Sequence, residues 1–550
     1  MRLPPGVSSK DFSEAIRQFE EAVGKEWVFT SDEDVALYRD AYSPFYGEPD
    51  ERVASAAVAP DGVEQVQKVV KIANRYKIPI YPISTGKDLG YGGSAPVLSG
   101  SVVLDLKRMN RILEVNEKNA YALVEPGVSY FDLYRYIQEK GIKLWVDVPD
   151  PGWGSPVGNS LDRGGGYLMA PYRNHFDSHC GMEIVLANGE IIRTGMGAMP
   201  GAKTWQEYKT GFGPWVDGIF SQSNFGVVTK MGFWLMPEPD AYLSGTVYVP
   251  RHDDLIPLVD ILTYLENTRV TNGMPDLGSP LLHIPMISEI ATWNEGGGPP
   301  PPEPELAALL AKPDAEASPE LQEYALRKGI SFWSCKLSFY GAAKANEANW
   351  EFAKEKFSAI PGAKFVENEV YKLPLTPEQR EKVHKPQFGI PSLAMFSIGA
   401  RSPVNPTPTS GHLWFSPIIP RTGQAIFEAN RVFAEAAREF GLPMLSFSLP
   451  STYWERAFIY IFAFPVTRDP ETNQRNRAAF KKLVERAAEH GWGEYRTAPA
   501  FQDLIMSTYA YNNHSLLRFH ETLKDAVDPN GILSAGRYGI WPKRLRGAKK

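Results

Sequence analysis

The segment STGKDLGYGGSAP, Ser84 to Pro96, gathers four glycines with hydroxyl side chains between an apolar run and a β-rich one. A loop of this kind turns successive backbone N–H groups outward, and a row of them holds a pyrophosphate without a large positive side chain. The same composition also makes an ordinary glycine turn, so in isolation the loop is only a candidate phosphate cradle. Competing phosphate motifs fail. Gly195-Met-Gly197-Ala-Met-Pro-Gly201 has the wrong spacing for a dinucleotide fingerprint, and Gly201-Ala202-Lys203-Thr204 separates the glycine and lysine that a phosphate loop needs side by side. Neither a GxSxG nucleophile elbow nor an HExxH zinc pair occurs. The two cysteines, Cys180 and Cys335, are too few for a disulfide framework or a thiolate zinc site and read as small buried hydrophobes. A second glycine-rich run, PDPGWGSPVGNSLDRGGGY from Pro149 to Tyr167, fits a backbone that turns tightly or approaches a ligand closely.

The elements that must position these loops are legible around them. In GVEQVQKVVKIANRYK, Gly62 to Lys77, the residues Val63, Val66, Val70 and Ala73 share one helical face, and the helix feeds an apolar strand, Ile78 to Ile83, that ends in the Ser84 loop. SVVLDL, ILEV and YALVEPGV follow as short strands. Ser129 with Asp132 predicts a capping box for the helix YFDLYRYIQEK, and Gly141 is placed to stop it. GMEIVLANGEIIRTG predicts a hairpin turning at Asn188-Gly189, and SQSNFGVVTKMGFWLM a further turn and strand. Character changes around Pro237 to Tyr242, where a second α+β region of ordinary composition begins. Within it, Gly296 to Glu320 carries four consecutive prolines and is expected to be a surface insertion with a short helix.

At 550 residues the chain is too long for one ordinary core, so two domains are expected. A net charge of -6, with acids and bases interspersed, offers no basic face for nucleic acid and no polybasic membrane anchor, which leaves a small organic substrate. The opening MRLPPGVSSKDF lacks a signal-peptide pattern, and the longest apolar run, Phe458 to Val466, falls far short of the roughly 20 residues that span a bilayer. A cytoplasmic location is expected. The aromatic content, 12%, mostly fills a large core but is also enough to line a slot for a flat ligand.

The chain resembles the vanillyl-alcohol oxidase and p-cresol methylhydroxylase family of flavoproteins. The resemblance runs in order through YPISTGKDLGYGGSAPVLSGSVVLDL, MNRILEVNEKNAYALVEPGVSYFDLY, VDVPDPGWGSPVGNSLDRGGGY, MEIVLANGEIIRTGMGAMPG, FSQSNFGVVTKMGFWLMPEP, GWGEYRT and DPNGILSAGRYGIWP, nearly the whole chain. It implies an α+β, two-domain FAD-binding fold: an FAD-binding domain from residues 1–238 and 491–550, and an inserted α+β cap domain over 239–490. It also implies FAD contacts from Ser84, Thr85, Gly86, Lys87, Asp88, Leu89 and Gly90, from Ser155, Gly158 and Asn159, from Gly226, Val227 and Val228, and from Arg537. Tyr91, Tyr495 and Arg496 match the family's phenol-binding triad. Two tyrosine hydroxyls and a guanidinium converging on one oxygen stabilise a phenolate, because an ionised acceptor takes the strongest hydrogen bonds and a fixed positive charge lowers the phenol's pKa. The phenolate then pushes electrons so that hydride leaves the para benzylic carbon for flavin N5, giving a p-quinone methide. Asp150 matches the acid near N5 and is the expected base for water addition.

The implied activity is oxidation of para-substituted phenols of the lignin-like or phenylpropanoid kind, with O2 as electron acceptor. Two departures concern the flavin tether that many relatives carry. The paired histidine positions fall on Glu455 and Arg456, and the tyrosine tether of the methylhydroxylase branch falls at about Gly399. Non-covalent FAD is therefore expected. MGAMPGAKTWQEYK passes straight to GFGPW without the extra loop of the octameric fungal member, which favours a homodimer. Two other readings stand beside this one: a cytochrome-coupled dehydrogenase or hydroxylase subunit, which needs a separate haem partner because the chain has no CxxCH, and a flavin- or aromatic-binding protein that has lost turnover.

Overall fold

The computed structural model describes residues 2–149, 151–281, 303–312, 315–383, 385–393, 411–442, 450–451 and 454–548. The chain has the two-domain α+β architecture, and its first unit begins with a four-stranded sheet ordered Val28–Phe29, Ala56–Val58, Val102–Asp105, Ile80–Ile83. The last three of these strands run parallel. The helix Val63–Tyr76 makes the crossover between Ala56–Val58 and Ile80–Ile83, burying Val66, Val69, Val70 and Ala73 against the sheet beside the helix Ser9–Val23. The strand starts at Ile80 rather than Ile78 because Lys77 turns left-handed (φ 55°) and the Ile78 amide donates back to Ala73. A parallel strand needs such a crossover, and ligands collect beyond the carboxyl ends of these strands. The Ser84 loop leaves Ile80–Ile83 at that end.

A five-stranded antiparallel sheet follows, ordered Ile112–Asn116, Tyr121–Val124, Val227–Trp234, His179–Val185, Ile191–Arg193. The predicted hairpin is there, with Gly189 at φ 82° in the turn. Helix Tyr130–Glu139 packs Tyr130, Leu133 and Ile137 into the core of this sheet. Its capping box forms as read: the Asp132 amide donates to Ser129 Oγ at 3.1 Å, and the Ser129 amide donates to the Asp132 carboxylate. Gly141 lies just past the helix with φ 65°.

The second unit is built on the sheet Asp276–Gly278, Trp333–Gly341, Ala241–Val249, Lys364–Lys372, with smaller pairings of Gly411–Phe415 with Phe462–Val466 and of Ile418–Pro420 with Ala457–Tyr460. Helices Leu255–Asn267, Gly423–Arg438 and Pro470–Glu489 share one continuous core with these strands through residues such as Leu262, Phe433 and Phe480. Each fully buried side chain of this size contributes about 1.5–3 kcal/mol. The C-terminal segment returns to the first unit: the Ile80 amide donates to Ile532, the Ser534 amide donates to Ile80, and Leu533 bridges Ile80 in parallel. Cys180 and Cys335 are both buried and unpaired, as read from the sequence. The expected insertion contributes the helix Pro304–Leu310, while Gly296 to Pro302 lie outside the described residues. Among the described residues no helix is long and apolar enough to cross a membrane.

Candidate active site

A cavity of about 360 Å³ lies where the Ser84 loop, the second glycine-rich run, the strand beginning at Val227, the segment after Gly491 and the C-terminal tail converge. Its walls include Ser84, Thr85, Gly86, Lys87, Asp88, Leu89, Tyr91, Ser155, Gly158, Asn159, Gly226, Val227, Val228, Tyr495, Arg496 and Arg537. Residues read from the sequence at positions more than 450 apart thus share one space. Gly90 does not line it. Gly90 (φ 83°) lets the loop pass Trp414, where a Cβ would stand 2.7 Å from the indole ring. Asp150 lies outside the described residues, although its neighbours Pro149 and Pro151 face the cavity. Gly399 also lies outside them.

Two glycines make the cradle close-fitting. A Cβ on Gly86 (φ 67°) would meet Ser94 Oγ at 2.2 Å, and one on Gly158 would meet Ser84 Oγ at 2.2 Å. The Ser94 and Ser84 side chains therefore fill the space beside these glycines, folding the loop tightly on itself and seating it directly on the Gly158 backbone. Gly158 sits in the short helix Pro156–Leu161, capped by Ser155, whose Oγ accepts from the Val157 amide at 3.2 Å and donates to the Pro126 carbonyl at 2.6 Å. The residues present fit FAD.

At one end of the cavity Arg496 stacks over the Tyr91 ring with its guanidinium carbon 3.8 Å from the centroid, and stands 5.3 Å from the Tyr495 ring centroid. Tyr91 Oη and Ser416 Oγ are 3.3 Å apart. Tyr495 is held by its backbone, its amide donating to the Ser416 carbonyl and its carbonyl accepting from Gln222 Nε2 at 2.8 Å. The Trp454 ring packs edge-on against Tyr495 at 5.2 Å. Burial pushes the Tyr91 hydroxyl pKa up, partly opposed by Arg496, so Tyr91 remains a donor. For Arg496, burial disfavours the charge, but Tyr495, Tyr91, Asp88 and Asp162 outweigh it and hold the guanidinium charged. Its Nε is buried without a hydrogen-bond partner among the described residues. A cation stacked on one phenol ring beside a second, with a donor still unused, is set up to receive an anionic oxygen.

Several residues of this site escaped the sequence reading. Asp162 faces Arg496 Nη1 at 3.7 Å, accepts from Arg537 Nη2 at 2.7 Å, and accepts from the Tyr538 hydroxyl. Burial raises its pKa, but Arg537 and Arg496 more than reverse this, and the carboxyl is held below its ordinary value. Asp88 lies 4.0 Å from the same Arg496 nitrogen; burial and then the charge of Asp162 push its pKa up to about 8. Glu494, next to Tyr495, accepts from the Ser416 amide, and burial holds its carboxyl well above the carboxylate range. Asp162 follows Gly158 by one helical turn, a spacing from which it could have been read but was not. Ser416 and Glu494 are 78 residues apart and carried no such signal. Arg537 Nη1 donates to Tyr81 Oη at 3.0 Å, tying the tail to the strand that launches the Ser84 loop. Glu455 is paired with Arg269, and neither Glu455 nor Arg456 lines the cavity.

Comparison with known proteins agrees with this geometry. Residues 54–195 match the FAD binding domain family model. The 4-cresol dehydrogenase [hydroxylating] flavoprotein subunit of Pseudomonas putida is 33% identical over 542 residues, covering 98% of this chain and 97% of the relative. The structure of 4-ethylphenol oxidase from Gulosibacter chungangensis, in its isoeugenol complex, superposes with a TM-score of 0.81 at 34% identity, covering 99% of this chain and 100% of that one. The substrate-bound structure of p-cresol methylhydroxylase does so with a TM-score of 0.82 at 32% identity, over 98% and 99% of the two chains.

Proposed function

This chain belongs to the vanillyl-alcohol oxidase and p-cresol methylhydroxylase family of flavoproteins, an FAD-dependent oxidoreductase of phenols, and from that premise we propose that it is an oxidase of para-substituted phenols. The observation that carries the reading is the stacking of Arg496 on Tyr91 with Tyr495 alongside, in a buried pocket that opens into the flavin cradle. The phenol oxygen binds to Tyr91, Tyr495 and Arg496, and three donors around one oxygen favour the phenolate. Negative charge on that oxygen, para to the substituent, weakens the benzylic C–H bond toward loss of hydride. FAD, which Ser84 to Leu89, Ser155, Gly158, Asn159 and Arg537 would hold, would supply the hydride acceptor, with O2 as the final oxidant and H2O2 as its product. The quinone methide that remains takes up water, for which a carboxylate base is needed. Asp150 takes that role on the family pattern. The flavin-facing part comprises 1–238 and 491–550, with 239–490 as the cap.

Replacing Tyr495 by Phe removes one of the three donors, and anaerobic flavin reduction by a 4-alkylphenol in stopped flow is expected to slow roughly 10²-fold, as for loss of one oxyanion-hole donor. An unchanged rate would end the triad assignment. Peroxide release under air, set against reduction of an added cytochrome c, separates the oxidase from a cytochrome-coupled enzyme. The dehydrogenase relative keeps the second reading in play.

FAD is held without a covalent bond on this reading, since Glu455 and Arg456 stand at the family's tether positions. Acid precipitation should release the yellow flavin into the supernatant. Flavin that stays with the pellet overturns this, and the tether would then be sought at His412, which faces the cavity.

A further inference from the structure

A phenol bound as its phenolate must give up a proton, and neither Arg496, held charged, nor Tyr91, held protonated, is placed to receive it. Asp88 and Asp162 both lie on Arg496 Nη1, at 4.0 and 3.7 Å, and hydrogen-bond each other. The Asp88 side chain is 38% exposed, facing the cavity, whereas that of Asp162 is 8% exposed. The two carboxyls are not equivalent. Asp162 has Arg537 and the Tyr538 hydroxyl as further donors, while Asp88 has none of these among the described residues. Among the described residues Tyr81 from the strand also faces both carboxyls, while Tyr91 and Tyr495 share Arg496 with them. Lys87, the next residue, points its ammonium to the Trp153 ring at 4.7 Å, and Asp40 spends a carboxylate oxygen on the Tyr42 amide.

We propose that Asp88 is the proton store of the phenolate site, the group that takes up and holds the phenolic proton when substrate binds. The proposal rests on the phenolate reading above. In the step itself the phenol O–H bond breaks, an O–H bond forms on the Asp88 carboxyl, and no electrons change hands. With Asp88 protonated, the two guanidiniums exceed the one remaining carboxylate by a single positive charge, which a phenolate neutralises. With Asp88 ionised the cluster is already neutral, and the phenolate charge would be left over in a buried site. Substrate binding and Asp88 protonation therefore favour each other. The charge of Asp88 couples to that of the phenolate across Arg496, whose Nη1 lies 4.0 Å from the carboxyl, and the proton reaches Asp88 through the solvent of the cavity. Two carboxyls whose surroundings drive their pKa values apart are the usual arrangement for dividing a proton donor from a charged partner.

The consequence is a proton count. Below the Asp88 pKa the store is already filled, so binding of a neutral phenol releases one proton to solvent and tightens as pH rises. Above it the phenolic proton stays on Asp88 and affinity is flat. The probe is 4-fluorophenol, which has no benzylic carbon to oxidise, titrated into the FAD-loaded enzyme and followed by the perturbed flavin spectrum and the phenolate absorption. In wild type, Kd should fall about tenfold from pH 6.5 to 7.5 and less than about twofold from pH 8.5 to 9.5, since linkage gives one proton per tenfold change. In Asp88→Asn, the isostere of the filled store, the fall of about fivefold or more should continue through the upper interval, until the phenol itself ionises near pH 10. Superimposable wild-type and Asp88→Asn profiles, with phenolate absorption present, overturn the Asp88 assignment alone. Absence of phenolate absorption throughout overturns the phenolate reading and the assignment with it. Where Asp88→Asn fails to keep its flavin, proton release by wild type in weak buffer decides: about one proton at pH 7 and almost none at pH 9.5 supports the store, one at both pH values overturns it.

Discussion

At the scale of single residues, the site is a set of charges whose values are fixed by neighbours rather than by residue type. Arg496 is charged because four anionic or phenolic oxygens surround it, and Asp162 is ionised because two arginines face it. Glu494 is the opposite case. It is buried, one oxygen accepts from the Ser416 amide, and the other has no hydrogen-bond partner among the described residues, so its neutral form is the stable one. A carboxyl whose folded pKa is raised above its unfolded value near 4.3 contributes stability that is fully present below that value and is lost as pH rises toward the folded pKa. Glu494→Gln, which cannot ionise, should therefore melt at a higher temperature than wild type at pH 8, with the gap closing toward pH 5. A gap that widens toward acid would show that Glu494 is ionised in the folded protein. The triad residues were legible by type and motif, whereas Asp88 was read as a cofactor contact and Glu494 not at all. Their roles depend on which charges lie within a few ångströms, and sequence does not state that.

Elements explain why the cavity has its shape. The helix Val63–Tyr76, the capping box at Ser129 and the hairpin at Asn188-Gly189 all followed from local patterns, because apolar spacing, a side-chain cap and a left-handed turn residue act within a few residues of chain. What joins these elements into a flavin site is contact between loops. Gly158, on the helix Pro156–Leu161, touches Ser84 on the loop after Ile83, 74 positions earlier by numbering, and only the missing Cβ permits it. Gly158→Ala would place a methyl 2.2 Å from Ser84 Oγ and force the two segments apart. Overpacking of this kind costs about 1–3 kcal/mol, so the FAD dissociation constant is expected to rise roughly 5- to 150-fold. Flavin absorbance relative to protein after gel filtration reads this directly, and full occupancy in the variant would show that the loop tolerates the shift.

At the scale of the whole molecule, the two units are tied together by a buried network as well as by their shared cavity. Arg173 from the first unit and Arg421 from the second both bind Glu266, and all three side chains are at most 3% exposed. Arg421 Nη1 also donates to the Trp454 carbonyl at 3.1 Å, and Trp454 supports Tyr495. Removing the carboxylate would leave two guanidiniums buried together. Glu266→Ala is expected to destabilise the protein by about 3–5 kcal/mol, the usual cost of breaking a buried ion pair from one side. Thermal denaturation checks this, and melting curves that superpose on wild type would mean that the arginines find other partners.

The sequence by itself determined the fold class and the flavoprotein family, through motifs whose order along the chain resembles that family, and it singled out Tyr91, Tyr495 and Arg496 as candidate phenol contacts, because local motifs survive without knowledge of the fold. Only the tertiary structure decided how those runs meet. Tyr91 and Arg496 stack although they lie 405 positions apart by numbering, Asp162 stands between Arg496 and Arg537, and Asp88 is left as the carboxyl with fewer donors. Sheet pairing and the return of residues 532–534 to Ile80 set these distances. Protonation state follows from distance and burial, since the energy of a charge depends on the field of everything around it, and that field exists only once the chain has folded.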